Sequence, residues 1–405
     1  MSVRDNPGRG DTAESSPFRS QIGPLLFLTG IFLLNFLSRI ILAPLLPSIE
    51  KDMGVGHGDA GSLFLMISLG MCPMTLCSGF FSSRMTHRKT IILSSTAVGA
   101  ALLIVSLTHT LGGVRLGLLM VGMAAGLYLP SGLATLTTLV SSRDWGKAVA
   151  IHELAPTLGF VAAPLLAEVL LRFYSWQGVL ALLGGASLFT GAAFACFGRG
   201  GRFFGEAPSP GTLRDLLAEP ALWIMIALFT LGIGASLGVY TMLPLYLITE
   251  LEMERGWANT LVALSRVPGP GVVILAGWGT DRLGTKRALK YVFLATGIMT
   301  VLLGAAQGSL IMPVVFLQPM LAACFFPAGF AALSRIGPSK TRNVAVSLTL
   351  PTAFLLATGV IPAGIGILGE AGLFAVGFAV VGGLTLGGVW LVRYLKFSDT
   401  HMPSP

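Results

Sequence analysis

The sequence predicts an all-α membrane protein of twelve transmembrane helices, arranged as two similar six-helix halves. The 405 residues are 54% hydrophobic and only 11% charged, with a mean hydropathy of +0.81. Soluble domains carry about 25% charged residues. Apolar segments long enough to cross a bilayer recur from Ile22 almost to Lys396. Features of the first half also return in the second, which predicts an internal repeat.

Apolar runs bounded by charged residues, glycine or proline divide the chain into twelve candidate spans. They cover residues 22–49, 58–82, 90–109, 112–140, 146–171, 174–197, 219–249, 256–280, 288–306, 309–334, 343–368 and 371–394. Several exceed the roughly 20 residues that a bilayer requires. We therefore expect tilted helices, or bends at prolines such as Pro44, Pro130 and Pro156.

Basic residues are distributed unequally between the loops on the two sides. Twelve spans place both termini on one side, and twenty of the 26 Lys and Arg residues then lie on that side, against four on the other. Because cytoplasmic loops are enriched in Lys and Arg, we expect cytoplasmic termini. The expected location is the plasma membrane, which is the inner membrane in a bacterial cell. This bias accounts for the net charge of +8 without a nucleic acid partner.

The polar segments predict the domain boundaries. Residues 1–21 lack the charged-then-apolar order of a cleavable signal peptide, so we expect a disordered cytoplasmic tail. The predicted units that follow are an N-terminal six-helix bundle at 22–197, a cytoplasmic linker at 198–218, a C-terminal six-helix bundle at 219–396 and a cytoplasmic tail at 397–405.

The chain lacks the sequence patterns of an enzyme or a metal site. No P-loop, nucleophile elbow or metal-spaced set of His and Cys occurs. The four cysteines lie in apolar segments, where they are typical of small core residues. We expect no cofactor, no metal and no enzymatic activity.

A shift of 197 or 198 residues aligns the second half of the chain with the first. The shift brings Gly79 onto Gly277 and Pro164 onto Pro362. It also aligns Leu46-Pro47 with Leu243-Pro244, and Pro130-Ser131-Gly132-Leu133-Ala134 with Pro327-Ala328-Gly329-Phe330-Ala331. Because the first span matches the seventh, the repeats are parallel and related by an axis along the membrane normal.

The loop after the eighth span carries a recognisable motif. It reads Gly277-Trp278-Gly279-Thr280-Asp281-Arg282-Leu283-Gly284-Thr285-Lys286-Arg287, which resembles the signature G-x-x-x-D-R-x-G-x-[KR]-[KR] of the major facilitator superfamily. The equivalent loop at residues 79–89 keeps the glycine and the basic residues but has Ser83 in place of the acid. The resemblance covers Ile22 to Lys396 and implies a two-bundle secondary transporter of a small solute, working by alternating access. Its motifs specify the fold and not the substrate.

Asp281 is the centre of a predicted conformational latch. A carboxylate at the end of a helix can meet the positive N-terminal end of a neighbouring helix or a nearby arginine. Together with Arg282, Gly277 and Gly284, we expect it to hold one conformation closed. The alternative is a basic loop that sets the topology, in which the aspartate is incidental.

Three charged residues lie well inside predicted spans: Arg39 in the first, Glu153 in the fifth and Arg266 in the eighth. Charges within the bilayer cost a few kcal/mol and normally face a cavity. Arg39 and Arg266 each lie about 15 residues, or ~22 Å, from the predicted cytoplasmic boundary. The resemblance implies that spans one, four, seven and ten line the central path and that two, five, eight and eleven form its other walls. The two arginines would then flank one cavity.

The charge of this cavity predicts the class of solute. Its formal charge is positive whether Glu153 is ionised or protonated, which favours an anion. A planar guanidinium binds a carboxylate through two parallel hydrogen bonds. We therefore expect a small organic anion, a carboxylate in particular. The alternative is that Arg39 or Arg266 pairs with Glu153 to hold helices together.

Glu153 is the predicted proton-coupling residue. It is the only carboxylate well inside a span, and apolar surroundings favour proton exchange by a carboxyl group. His152 is its neighbour, and only one of two adjacent helical residues need face the path. The alternative role of His152 is helix packing. Superfamily members with an Asp-Arg pair in the first span couple protons through the acid, but Ser38 precedes Arg39 here, which leaves Glu153.

Four further polar residues are candidates for the solute site. Asn35 lies one turn before Arg39 on the same helix face. Tyr128, Tyr240 and Gln318 lie on the path-lining spans four, seven and ten. For each of the four, the alternative is a hydrogen bond between helices.

Two other function classes compete with anion transport. Proton-driven efflux of amphipathic drugs or lipids is suggested by the 15 Met and 24 Phe residues, and by a Gly/Pro pattern in residues 155–167 that is similar to the motif of family antiporters. A non-transporting membrane receptor is the third class, but the sequence has no extramembrane sensing domain. In either transport case we expect a monomer embedded in lipid.

Overall fold

The computed structural model describes residues 18–206, 220–335 and 342–395, except the side chains of 342–346. Within these ranges, twelve helices are long and apolar enough to cross a membrane, which confirms the predicted fold. They are α1 (Phe18–Met53), α2 (His57–Arg84), α3 (His87–Ser106), α4 (Leu111–Leu139), α5 (Ser142–Leu170), α6 (Trp176–Phe197), α7 (Pro220–Thr249), α8 (Arg255–Leu283), α9 (Thr285–Ala305), α10 (Gly308–Leu333), α11 (Ser347–Glu370) and α12 (Phe374–Tyr394). The bundle has a termini end, where α1 begins and α12 ends, and an opposite end.

The span boundaries differ from the prediction where polar residues take part in packing. Helix α1 begins at Phe18, ahead of the predicted start at Ile22, and the Lys147 ammonium lies 5.6 Å from the Phe18 ring centroid. The predicted linker is described only at 198–206. There the Gly205 N–H donates to the Ser82 carbonyl oxygen at 2.8 Å, so this part lies against the first half. Residues 1–17, 207–218 and 397–405 of the predicted tails and linker lie outside the described residues.

Several spans are interrupted, and each interruption lies one turn before a proline. The helices break at Ile41, Leu127, Glu153 and Cys324. Each break lies three residues before a proline, namely Pro44, Pro130, Pro156 and Pro327. Proline has no N–H to bond the carbonyl four residues earlier, and its ring crowds that carbonyl. The expected bends at prolines are therefore present.

The repeat is visible in the packing of each half. In the first half an added Cβ on Gly99 of α3 would lie 2.7 Å from the Gly184 carbonyl oxygen of α6. In the second half the corresponding pair is Gly297 of α9 and Gly382 of α12, where the same distance would be 3.0 Å. Both pairs are related by the shift of 198 residues. Backbone contact at this range explains why glycine occupies all four positions.

The two halves meet near the opposite end and separate toward the termini end. The Gly58 N–H donates to Glu370 Oε2 at 2.9 Å, Ser68 Oγ and Thr358 Oγ1 are 2.9 Å apart, and the Tyr240 hydroxyl donates across the same boundary. In the last part of α8, Gly269–Leu283, only Thr280 is buried. The structure is thus closed at the opposite end, and its central space opens toward the termini end.

Candidate functional site

A central cavity of about 430 Å³, its open mouth included, lies between the halves at mid-height. Its walls come from α1, α2 and α5 of the first half and from α7 and α11 of the second. The lining residues are Phe36, Arg39, Ile40, Phe64, Ile67, Ser68, Met71, Phe160, Leu237, Tyr240, Thr241 and Thr358. Most of the lining is therefore aromatic or aliphatic, with one thioether, four hydroxyl groups (that of Tyr240 included) and one cation.

Arg39 is the cation of the cavity wall. Its Nε donates to the Asn35 carbonyl oxygen at 3.3 Å, and its Nη1 lies 3.1 Å from the Met71 sulfur, a weak acceptor. Its guanidinium carbon is 5.2 Å from the Phe36 ring centroid. A guanidinium has five N–H donors, so these contacts leave hydrogen-bonding capacity for a ligand.

Arg266 is buried behind the cavity wall, with 8% of its surface exposed. Its Nη2 donates to the Ser236 carbonyl oxygen at 3.2 Å, while its buried Nε has no hydrogen-bond partner. Its guanidinium carbon lies 4.9 Å from the ring centroids of both Phe160 and Tyr240. These two rings line the cavity and separate Arg266 from it.

Neither arginine forms an ion pair in this conformation. Among the described residues, no carboxylate oxygen lies within 4.0 Å of a guanidinium nitrogen of Arg39 or Arg266. The alternative pairing with Glu153 is thus not made here. Aromatic rings take the place of a counter-ion, and cation–π contacts offset only part of the cost of burying a charge.

Three aromatic residues connect the two arginines, and we call them the aromatic row: Phe36, Phe160 and Tyr240. The Phe36 and Phe160 centroids are 5.1 Å apart at 77°, and those of Phe160 and Tyr240 are 4.9 Å apart at 76°. Both pairs have the edge-to-face geometry that aromatic rings prefer. The Tyr240 hydroxyl also donates to the Phe160 carbonyl oxygen at 3.3 Å.

A single π-helical turn in α7, Gly234–Gly238, positions two of the predicted residues. Such turns are frequent at functional sites. The Ala235 carbonyl oxygen accepts from Gln318 Nε2 at 2.7 Å, and the next carbonyl accepts from Arg266. Gln318 also donates to Thr300 Oγ1 at 3.0 Å. Gln318 is therefore used for helix contacts and does not line the cavity.

Asn35 and Tyr128 also make hydrogen bonds between helices. Asn35 Nδ2 of α1 donates to the Ala125 carbonyl oxygen of α4 at 3.3 Å. The Tyr128 hydroxyl of α4 donates to the Leu28 carbonyl oxygen of α1 at 2.7 Å. Both residues are buried away from the cavity lining. Of the four polar candidates, Tyr240 alone is on the cavity wall.

His152 links Tyr128 to Glu153. The His152 side chain is fully buried, and its ring stacks on Phe32 with centroids 4.4 Å apart. Its Nε2 lies 3.1 Å from the Tyr128 hydroxyl oxygen, and its Nδ1 lies 3.5 Å from Glu153 Oε1. The Glu153 side chain is half exposed. One buried and one accessible titratable group thus meet at the break in α5.

Glu153 lies below the cavity rather than in its wall. It precedes Phe160 by two helical turns, about 10 Å, toward the termini end. Its side chain is half exposed and contacts His152, and it does not belong to the cavity lining.

Three of the predicted latch residues, Asp281, Arg282 and Gly284, are exposed in this conformation, and Gly277 is partly buried. Asp281 has no ion pair within 4.0 Å among the described residues, and Arg282 stacks over Trp278 at 4.1 Å. Gly284 has a φ of +81°, which explains glycine at the turn into α9. Gly277 is loosely packed, since an added Cβ would meet only Pro327 at 4.0 Å. The latch stays a prediction.

The main ionic contact between the halves lies near the opposite end. Arg255 Nε of α8 is 3.1 Å from Glu168 Oε2 of α5, and its Nη2 is 3.4 Å from the other carboxylate oxygen. Asn259 Nδ2 adds a third contact to Glu168 at 3.5 Å. The sequence analysis missed this pair because both residues lie near predicted span ends, where charges are ordinary.

The chain matches the family model described as Major Facilitator Superfamily over residues 28–315. Two solved transporters share the fold. A bacterial homologue of the human lysosomal transporter Spinster, inward-facing and occupied, has a TM-score of 0.74 at 16% identity and covers 94% of this chain and 95% of that chain. A D-xylose-proton symporter has a TM-score of 0.74 at 15% identity, and the match covers 92% of this chain and 97% of that chain.

Curated relatives match parts of the chain. The human voltage-gated purine nucleotide uniporter SLC17A9 is 24% identical over 44% of this chain. The multidrug resistance protein MdtL of Klebsiella pneumoniae is 22% identical over 54%. The membrane sensor protein UhpC of Salmonella typhimurium is 28% identical over 29%. These matches span only 42%, 57% and 26% of the relatives' own lengths.

Proposed function

The chain belongs to the major facilitator superfamily, and we propose that it transports a small organic anion, a carboxylate in particular, by alternating access. Family and fold make it a secondary transporter and not an enzyme. The observation that carries the proposal is that Arg39 and Arg266, each within a membrane-spanning helix, have no carboxylate partner among the described residues.

The physical argument rests on the cost of an unpaired charge. A cation in a low-dielectric interior is destabilising unless hydrogen bonds and an opposite charge compensate it. Arg39 faces the cavity with unused donors, and the buried Nε of Arg266 is unpartnered. An anion in the cavity would supply the missing charge, so its binding would be favoured over that of a neutral solute of equal shape.

The open end of the structure gives the solute its route. Closed at the opposite end and open at the termini end, the structure supports a conformation that receives solute from the side of the termini. The excess of basic residues there supports a cytoplasmic assignment in the plasma membrane, and we propose a monomer. A relative named for purine nucleotides, which are anions, supports the solute class.

Replacing Arg39 by glutamine is expected to weaken carboxylate binding by about tenfold to a hundredfold, the usual loss for a hydrogen bond to a charged group. The Arg39→Gln, Arg266→Gln double variant is expected to abolish uptake. The measurement is uptake of labelled carboxylates and of their uncharged amides into proteoliposomes.

Arg115→Gln is the matched control for loss of one positive charge. Arg115 pairs with Asp59 at 2.6 Å within the first half, away from the cavity. This variant should retain the preference for carboxylate over amide. Undiminished carboxylate uptake by the double variant would remove the basis of the proposal.

Proton coupling is proposed to occur at His152 and Glu153. A carbonyl oxygen has no proton, so the Tyr128 hydroxyl donates to Leu28 and accepts from His152 Nε2. His152 Nδ1 then faces Glu153 Oε1 at 3.5 Å. Without a proton between them, the lone pair of His152 Nδ1 and the Glu153 carboxylate repel each other, and one added proton would turn this contact into a hydrogen bond. We propose that gain or loss of this proton, on the termini side of the cavity, is coupled to binding of the anion.

Glu153→Gln is expected to remove the stimulation of uptake by a pH gradient, because an amide neither takes up nor releases a proton near neutral pH. Exchange of internal for external carboxylate, which needs no net proton movement, should continue. His87→Gln is the control, since His87 is a buried histidine of the same half that contacts Ser131 rather than a carboxylate. Gradient stimulation that persists in both Glu153→Gln and His152→Gln would exclude coupling at this pair.

The latch is proposed to act in the other conformation. With the termini end closed, Asp281 would approach a helix end or an arginine of the facing half, as its exposure in the open state allows. Arg282, Gly277 and Gly284 would set the shape of that turn. Cross-linking of Asp281→Cys to the facing half only in the closed state would support this role.

A second candidate function is proton-driven efflux of amphipathic drugs or lipids. The mostly aromatic and aliphatic lining of the cavity favours it, and one relative is named for multidrug resistance. Such a transporter would tolerate Arg39→Gln and Arg266→Gln but would still require Glu153. The carboxylate and amide comparison therefore separates the two functions.

A further inference from the structure

We infer that the transported anion is an aromatic monocarboxylate, with its carboxylate on Arg39 and its flat ring against the aromatic row. The inference rests on the proposed anion transport and adds the shape and chemistry of the solute body. A small hydrophilic acid would lose its hydration to a lining in which eight of the twelve side chains are aromatic, aliphatic or a thioether. An aromatic body instead gains by burying its own apolar surface.

The placement of Arg39 beside Phe36 matches such a molecule. The two residues are three apart on α1 and share one face, with the guanidinium 5.2 Å from the ring centroid. A carboxylate bonded to Arg39 would therefore carry its attached ring along the row toward Phe160. Edge-to-face and offset contacts with the row would strengthen binding beyond the gain from buried area alone.

Arg266 acts on this ring site through Phe160 and Tyr240. It lies 4.9 Å from both centroids, so its charge draws the π electrons of the two rings toward itself. Rings depleted in this way are better partners for an electron-rich ring that carries a carboxylate. Arg266 is thus a positioning residue for the row, and Arg39 is the residue that touches the anion.

The hydrogen bonds of the cavity hydroxyl groups limit the solute to one carboxylate group. Thr241 donates to the Gly238 carbonyl oxygen at 2.7 Å, and Thr358 donates to that of Phe354 at 2.9 Å. Ser68 must then donate to Thr358 at 2.9 Å. The Tyr240 hydroxyl donates to the Phe160 carbonyl oxygen. All four hydroxyl protons are therefore used within the protein, and Arg39 is the one donor on the described wall that remains for a carboxylate.

The test measures two independent ratios of dissociation constants on the purified full-length protein. The ring ratio is the dissociation constant of cyclohexanecarboxylate divided by that of benzoate, and it reports on the aromatic ring at constant charge. The charge ratio is the dissociation constant of benzamide divided by that of benzoate, and it reports on the charge with the ring unchanged. We expect the first ratio to lie between about twofold and tenfold, the range that corresponds to the aromatic contact energies. We expect the second to reach about tenfold or more.

Three variants assign each ratio to its residue. Phe160→Leu should bring the ring ratio to near one and leave the charge ratio unchanged. Phe378→Leu is the matched control, because Phe378 is a buried ring that packs on Tyr246 and Phe374 outside the cavity lining, and both ratios should persist. Arg39→Gln should collapse the charge ratio and leave the ring ratio. Tyr240→Leu replaces Phe160→Leu if the latter variant fails to fold.

The outcomes distinguish failure of the inference from failure of the proposed function. Equal affinity for benzoate and cyclohexanecarboxylate, tighter binding of lactate than of benzoate, or a ring ratio that survives both Phe160→Leu and Tyr240→Leu would overturn the aromatic inference alone. A charge ratio of one in the wild-type protein would instead overturn anion transport. Succinate binding more tightly than benzoate would overturn the limit of one carboxylate.

Discussion

Gly122→Leu is expected to abolish folding of the first half. In the structure, an added Cβ at Gly122 of α4 would fall on the carbonyl oxygen of Ile67 in α2, and Gly70 of α2 meets the Leu119 carbonyl oxygen in the same way. Neither backbone can move without separating the two helices over several turns. Overpacking usually costs about 1–3 kcal/mol, and we expect more here because backbone rather than a flexible side chain is displaced.

The measurement is thermal unfolding and size-exclusion behaviour of the variant in detergent. Gly185→Leu in α6 is the matched control: it adds the same side chain to the middle of a span, but nothing lies within 4 Å of an added Cβ there. The control should keep a melting temperature near that of the wild type. A Gly122→Leu protein that unfolds at the same temperature as the control would contradict the α2–α4 packing.

Arg255→Glu is expected to open the opposite end and stop transport. It replaces the two hydrogen bonds to Glu168 by repulsion between carboxylates, and the Glu168 side chain is only 15% exposed. Arg172, with its Nε 4.0 Å from Glu168 Oε1 and a side chain that is 67% exposed, compensates the remaining charge only in part. The expected cost is about 3 kcal/mol, or roughly a hundredfold in the balance between the two conformations.

Opening can be measured as the reaction of a buried cysteine with a membrane-impermeant thiol reagent. Leu243→Cys, at a position 2% exposed, supplies the target after the four native cysteines are replaced by serine. Reagent added on the side of the opposite end should label this cysteine faster in Arg255→Glu. The Glu168→Arg, Arg255→Glu double variant restores opposite charges and should slow the labelling again.

Arg115→Glu provides the control for this charge reversal. It breaks the pair with Asp59, which joins α2 and α4 within the first half and does not cross between the halves. Labelling of the Leu243→Cys target should then remain slow. If Arg115→Glu accelerates labelling as much as Arg255→Glu, general destabilisation explains the effect and the ionic contact between the halves does not hold the end closed.

Local features of the chain were readable from the sequence. The apolar runs predicted twelve spans because a bilayer imposes one length on every helix that crosses it. Pro44, Pro130 and Pro156 predicted bends because the missing N–H acts within one turn. The shift of 198 residues predicted a repeat whose equivalent glycine pairs, Gly99 with Gly184 and Gly297 with Gly382, lie at backbone contact.

The predicted site was less complete, for a different physical reason. Arg39 and Arg266 were found because charge inside a span is rare. Phe36 and Phe160 were missed because they are two of 24 phenylalanines, and nothing in the sequence separates a cavity ring from a core ring. The helix contacts of Asn35 depended on where neighbouring carbonyl groups lie, which span assignments do not specify.

By itself, the sequence determined that this protein is a carrier of two similar halves, with positively charged residues inside its spans. Hydropathy, proline positions and repeats can be read along the chain, because they depend on neighbouring residues or on spacing and not on tertiary contacts. Only the tertiary structure decided that the charges of Arg39 and Arg266 are met by aromatic rings, and that the half-exposed Glu153 contacts the buried His152. Those facts depend on which faces of α1, α5, α7 and α8 meet. Packing of all twelve helices together sets those faces.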